Sequence, residues 1–114
     1  MVSVQRVRAI ALALPEATEQ DHHGRPSFRV GKIFATIWDP RHLNVMLDRD
    51  GILTAVQSRP DACAEFQWGK RLAAVHVDLD AADDVLVTEL LADAWEQKAP
   101  ARLLNRRVWT AAEP

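Results

Sequence analysis

The sequence predicts an α+β domain, an antiparallel sheet with an N-terminal and a C-terminal helix packed on one face. Three observations predict it. Apolar residues at helical spacing open and close the chain, segments of alternating polarity lie between them, and the turns between those segments are too short for the crossovers that parallel strands need. With 114 residues, 48% of them hydrophobic and 26% charged, the chain has the size and balance of one globular domain, so residues 1–114 are read as a single unit.

Val4, Val7, Ala11 and Leu14 recur at helical spacing, Ser3 can cap, and Pro15 stops the pattern, which gives a helix over Ser3 to Leu14. Thr18 to His23 is polar and weakly β-like, and Gly24-Arg25-Pro26 reads as a turn before Ser27 to Val30, so a hairpin is expected there. After Gly31, residues Lys32 to Trp38 alternate Ile33, Ala35, Ile37 against Phe34, Thr36, Trp38. Asp39-Pro40-Arg41 is a tight turn, and His42 to Asp48 is the clearest half-buried strand.

Ile52, Leu53 and Val56 give a short helix within Asp50 to Gln57, and Arg59-Pro60-Asp61 is expected to begin another short helix or turn that runs to Phe66. Leu72 to Leu79 alternates Val75, Val77, Leu79 against Ala74, His76, Asp78 as the final strand. Asp80 and Asp83 suit a helix start, and Val85, Leu86, Leu90, Leu91, Ala94 and Trp95 form a stripe that ends near Gln97. Pro100 begins a last piece, Ala101 to Arg106, with a fraying tail after Arg107.

Net charge is -2, so no global field draws the molecule toward nucleic acid or an anionic membrane. The charge is unevenly spread. His22 to Lys32 holds Arg25, Arg29 and Lys32 without an acid, and Lys98 to Arg107 holds Lys98, Arg102, Arg106 and Arg107. Asp78 to Glu96 is acidic throughout. The single cysteine, Cys63, forms no internal disulfide and supports a reducing, cytoplasmic compartment. No uninterrupted apolar run approaches the ~20 residues of a membrane span, so no membrane association is expected.

Residues Leu14-Pro15-Glu16-Ala17, His22 through Ala35 and Val77-Asp78-Leu79-Asp80 resemble the MmcQ/YjbR family of small bacterial proteins. Gly24 through Ala35 is the most specific stretch, and Ala99-Pro100-Ala101-Arg102-Leu103 is similar to the family's closing Pro-containing helix start. The resemblance implies an α+β fold related to the frataxin-like and secretion-chaperone-like arrangements. It also implies the DNA-binding role, through a proposed double-wing motif, with which the family is commonly labelled. Ala101 departs from the family pattern where a basic residue is expected, and Ala74 where an aromatic is usual.

A hydrolase reading of Asp21-His22-His23 with Ser27 fails on spacing, since neighbours on a strand point to opposite faces and no Gly-x-Ser-x-Gly elbow exists. No catalytic constellation and no cofactor is therefore expected. Three non-enzymatic readings stand. The first is DNA binding through Arg25, Arg29, Lys32, Lys70 and Arg71, with Arg102 and Arg106 in addition. The second is a protein-interaction or chaperone-like module with an open sheet face, and the residues offered to a ligand or partner are Phe34, Trp38, Trp68, His42 and His76. The third is a small-molecule or metal site at His42, His76 and Asp78, which ranks last because the same spacing arises on any strand with one wet face. Nothing in the pattern sets the oligomeric state.

Overall fold

The computed structural model describes residues 1–104. The element order is α1 (Val4–Leu12), β1 (Thr18–His22), β2 (Arg25–Val30), β3 (Lys32–Asp39), β4 (His42–Val45), α2 (Arg49–Ser58), β5 (Cys63–Trp68), β6 (Arg71–Asp78) and α3 (Asp84–Lys98). The strands form one six-stranded sheet in the order β1-β2-β3-β4-β6-β5, antiparallel at every pairing. The predicted fold class holds. Helix α3 lies on β3 and β4 with α1 against it, and α2 packs on β5 and β6.

Local chemistry places these elements where they are. Ser3 caps α1 by accepting the amide of Arg6, Asp48 caps α2 through Gly51, and Asp83 caps α3 through Leu86. The start of α3 thus falls at Asp83, and Asp80 is engaged instead with Arg41. The first hairpin turns on His23 and Gly24, both at positive φ (54° and 82°), as a two-residue turn matched to strand twist requires. Arg25 and Pro26, expected in that turn, therefore already belong to β2. Gly69, at φ 63°, opens the turn between β5 and β6.

The largest departure is residues 59–66, expected as a helix or turn. After a short turn at 59–62 the chain enters β5 at Cys63. The proline suggested a helical start, but Glu65 and Gln67 alternate with Phe66 and Trp68, and pairing to β6 settles the segment as a strand. Strand β4 is also shorter than predicted, because α2 begins at Arg49. Residues 101–104 are helical, as expected for the start of the last piece; its end and the tail lie outside the described residues.

One continuous core joins the sheet to the helices through Val7, Phe28, Leu43, Val45, Ile52, Val75, Val77, Leu91 and Trp95. Trp95 is completely buried and its Nε1 donates to the carbonyl of Pro15 at 2.9 Å, which ties α3 to the end of α1. Burial of side chains this large is worth about 1.5–3 kcal/mol each. Among the described residues, no helix is long and apolar enough to cross a membrane.

Phe34 joins this core. In the β2–β3 register Phe28 faces Ala35 but Arg29 faces Ile33, so Phe34 is the extra residue of a β-bulge. The bulge breaks the alternation, and the consecutive residues Phe34 and Ala35 are both fully buried. Phe34 therefore offers nothing to a ligand or partner, contrary to the strict alternation read from sequence.

Candidate functional site

The register carries one polar row across the sheet face that no helix covers. Gln20 lies opposite Ser27, Ser27 opposite Thr36, Thr36 opposite Asn44, and Asn44 opposite His76. Alternation dictates this, since the neighbours Phe28, Ala35, Leu43, Val75 and Val77 all enter the core. Ser27, Thr36 and Asn44 are nevertheless buried, because larger side chains lean over them. Every buried side-chain polar atom among the described residues has a hydrogen-bond partner, as a low-dielectric setting demands.

Those larger side chains form a continuous chain of rings. Arg25 sits over the Trp38 ring, its Cζ 4.0 Å from the centroid, and its Nε donates to the Trp38 carbonyl at 2.9 Å. Trp38 meets Phe66 edge to face at 4.9 Å, Phe66 stacks on His76 at 5.6 Å, and His76 stacks on His42 at 4.6 Å with the planes 9° apart. Trp38 occupies a second bulge, between the pairs Ile37–Leu43 and Asp39–His42, at the end of β3. Phe66 faces Ala74 in the register. That small, fully buried residue leaves room for the Phe66 ring to lean inward.

The imidazoles are oriented from beneath. Nδ1 of His76 lies 2.6 Å from Oδ1 of Asn44, and Nδ1 of His42 lies 2.9 and 3.0 Å from the two carboxylate oxygens of Asp39. An oxygen acceptor requires the proton on Nδ1, so a neutral ring presents Nε2 as an acceptor. Burial, and then the charge of His42, holds the His76 pKa below its ordinary value of 6.5. The Asp39 carboxyl is held below its ordinary range first by the backbone amide of Arg41 and further by His42. The neutral form of His76 is thus favoured more than that of a free imidazole.

The structure gathers Trp38, His42 and His76 with Arg25 from the basic hairpin. Arg29 lies on the same face, its Nε donating to Ser27 Oγ at 3.2 Å while Ser27 donates to the Gln20 carbonyl. Lys32 follows at the exposed β2–β3 turn, without an ion pair among the described residues. Lys70 and Arg71 lie at the far end of the sheet from the His23-Gly24 tip. Three strand spacings of ~4.8 Å and about six residues of strand at ~3.3 Å each put roughly 25 Å between Arg71 and Arg25. Arg102 pairs through both terminal nitrogens with Glu16 at 2.9 Å, on the helical side. Arg106 lies outside the described residues. Trp68 is 68% exposed at the end of β5 and stands apart from the ring chain.

Among the described residues, no three His, Cys, Asp or Glu are grouped to hold a metal ion. His42 and His76 stack face to face, and Asp80 is drawn to Arg41. Cys63 is buried, and that burial pushes its thiol pKa up, the opposite of an activated nucleophile. Sequence reasoning missed Phe66, Asn44 and Asp39. The signal for Phe66 was its two-residue spacing to Trp68; for Asn44, its place between two buried residues on a strand.

Fold and site together define a small α+β module with one helix-covered and one open sheet face, the open face carrying an Arg, aromatic and imidazole row. The YjbR family model matches residues 12–97. The chain belongs to the YjbR family. A solved structure, Deinococcus radiodurans protein DR2400 with family-model domain DUF419, superposes with a TM-score of 0.73 at 21% identity, covering 94% of this chain and 88% of that one. That similarity establishes the shared fold. No curated protein matches.

Proposed function

We propose that this protein is a non-enzymatic DNA-binding module that lays the nucleic acid along its open sheet face. The observation that carries the reading is the position of Arg25 and Arg29 on that face, beside the Trp38–Phe66–His76–His42 row. Cations supply phosphate contacts whose affinity falls with salt, and half-buried rings supply stacking that tolerates any base. Lys32 extends the cationic edge. The acids of α3 lie in the opposite layer, away from that face, and the Asp39 carboxylate on the face is engaged with His42. The DNA-binding label that the resemblance implies supports the reading.

Fluorescence anisotropy with a labelled duplex and a labelled single strand, each at two salt concentrations, tests it. Binding is expected to weaken steeply with salt. Arg25→Gln and Arg29→Gln are each expected to lower the slope of log affinity against log salt by about 0.7–0.9. Trp38→Leu is expected to reduce single-strand affinity more than duplex affinity, because only exposed bases stack. Absence of salt-dependent binding at low ionic strength, or wild-type slopes in both arginine variants, sinks the proposal.

A second reading, a protein-docking face, is favoured by Trp68, which is 68% exposed beside a face that already presents Trp38 and Phe66. Light scattering decides whether that face pairs with a second copy. A concentration-independent monomer mass removes self-association from consideration.

A further inference from the structure

At the end of the sheet remote from the His23-Gly24 tip, β4 stops at Val45 while β6 begins four residues before the paired Val75, at Arg71. The edge of β6 at Leu72 and Ala73 therefore has β5 on one side and no strand on the other. The chain leaving β4 turns into α2 there, the end of α3 closes the third side, and a groove of about 490 Å³ is left. That volume lies in the ~300–1,000 Å³ range of small-molecule sites.

Three cations from three elements line the groove: Arg49 at the start of α2, Arg71 at the start of β6 and Lys98 at the end of α3. None of them forms an ion pair among the described residues. Among the described residues, Asp48 is the one carboxylate that lines the groove, and its Oδ1 accepts the Gly51 amide at 2.8 Å. Gln97 holds the Asp48 amide at 2.8 Å and so fixes α3 against the entry to α2. Lys98 suits the C-terminal end of its helix, whereas Arg49 sits at the positive end of α2, where a cation is disfavoured. The groove thus sets three cations against one carboxylate and keeps a net positive charge on a built framework.

We propose that this groove is an anion site for a phosphate group carrying at least two negative charges. With Asp48 offsetting one of the three cations, a monocarboxylate would still leave the groove positive, whereas a dianion balances it. A tetrahedral phosphoanion presents several oxygens, and the forked guanidiniums of Arg49 and Arg71 match them from two sides while Lys98 acts as a point charge. The edge of β6 at Leu72 and Ala73 that no strand covers lines the same groove. This site is separate from the ring row and stands whether or not that row binds DNA.

Inorganic pyrophosphate titrated into the full chain at low ionic strength, followed by amide chemical shifts in NMR, is the test. One saturable site is expected, with the largest shifts at residues 49, 72, 73 and 98. Arg49→Gln and Arg71→Gln are each expected to weaken binding roughly three- to tenfold, and the double variant to abolish saturation. Arg29→Gln, outside the groove, is expected to bind pyrophosphate as the wild type does. Shifts centred on Arg25 and Arg29, or no saturation by about 10 mM, or a double variant that binds normally, each overturn the assignment.

A single-stranded oligonucleotide then separates the sources of phosphate. Displacement of pyrophosphate from the groove assigns the site to nucleic-acid backbone. Retention of pyrophosphate assigns it to a free phosphorylated small molecule. If pyrophosphate binds and no oligonucleotide does, the DNA proposal fails and the groove stands.

Discussion

Asn44 is the residue on which the imidazole row turns, and its replacement by leucine isolates one buried hydrogen bond. Asn44 is 1% exposed, and its Oδ1 accepts from His76 Nδ1 at 2.6 Å. Leucine has a similar size, so Asn44→Leu removes the acceptor without opening a large void. The orphaned donor belongs to His76, which is only half-buried and can reach water, so the cost falls toward the low end of the ~1–3 kcal/mol for a lost buried partner. His76→Phe is the more damaging single change. It keeps a ring against Phe66 but leaves the Asn44 amide, which is cut off from solvent, without its partner, at about 2–3 kcal/mol. In a domain of this size each kcal/mol moves Tm by about 4–8 °C. The double variant removes donor and acceptor together, and an apolar pair of matching shape is close to neutral. Thermal and urea melts of the four proteins at pH 8 measure the cycle. A favourable coupling of about 1 kcal/mol or more is expected between the two changes. If the double variant loses the plain sum of the single losses, the hydrogen bond is not what holds the row, and the reasoning is refuted.

Two further outcomes follow from the same geometry. The folded-state pKa of His76 is depressed below 6.5, so its contribution is fully present above pH 6.5 and is lost as pH falls through the folded-state value. Tm is expected to drop as pH is lowered from about 7 to 5, with a shallower drop in His76→Phe; an NMR titration midpoint for His76 at or above 6.5 contradicts this. Gly24 holds φ 82° with nothing near the site of an added Cβ, so Gly24→Ala is expected to cost about 1–2 kcal/mol through backbone strain alone. A Gly24→Asn protein should recover most of that loss in the same melts, and an alanine variant as stable as the wild type would show that the turn relaxes.

The helices α1 and α3, the hairpin strands and the strand ending in Asp78 were legible because each writes its burial into local periodicity. Val7 and Ala11, or Val75 and Val77, recur at the spacing of a single face. β5 was concealed because one residue of each of its pairs is outside the strand itself. Cys63, Ala64 and Phe66 acquire their strand character from Val77, His76 and Ala74 across the ladder, and cross-strand pairing outweighs local propensity in such segments. The family resemblance lay in the turn glycines and the residues beside them, where backbone conformation restricts the choice of residue.

The site was harder to read than the fold because bulges, not alternation, decide which rings meet. Strict alternation assigns Phe34 and Trp38 to the same face of β3. An extra residue at Phe34 sends that ring into the core, and an extra residue at Trp38 sets its ring beneath Arg25 and against Phe66. A third register shift, at Phe66 and Gln67, lies where β5 contributes its ring. Each bulge adds local twist and re-aims one side chain, and a bulge has no periodic signature to find. The basic residues scatter for the same topological reason. Arg25 and Arg71 both begin strands, but β2 and β6 begin at opposite ends of the sheet, so cations that were grouped into one interface from sequence fall on two separate surfaces. One surface is joined to rings and suits an extended ligand with bases; the other is joined to a groove and suits a compact anion.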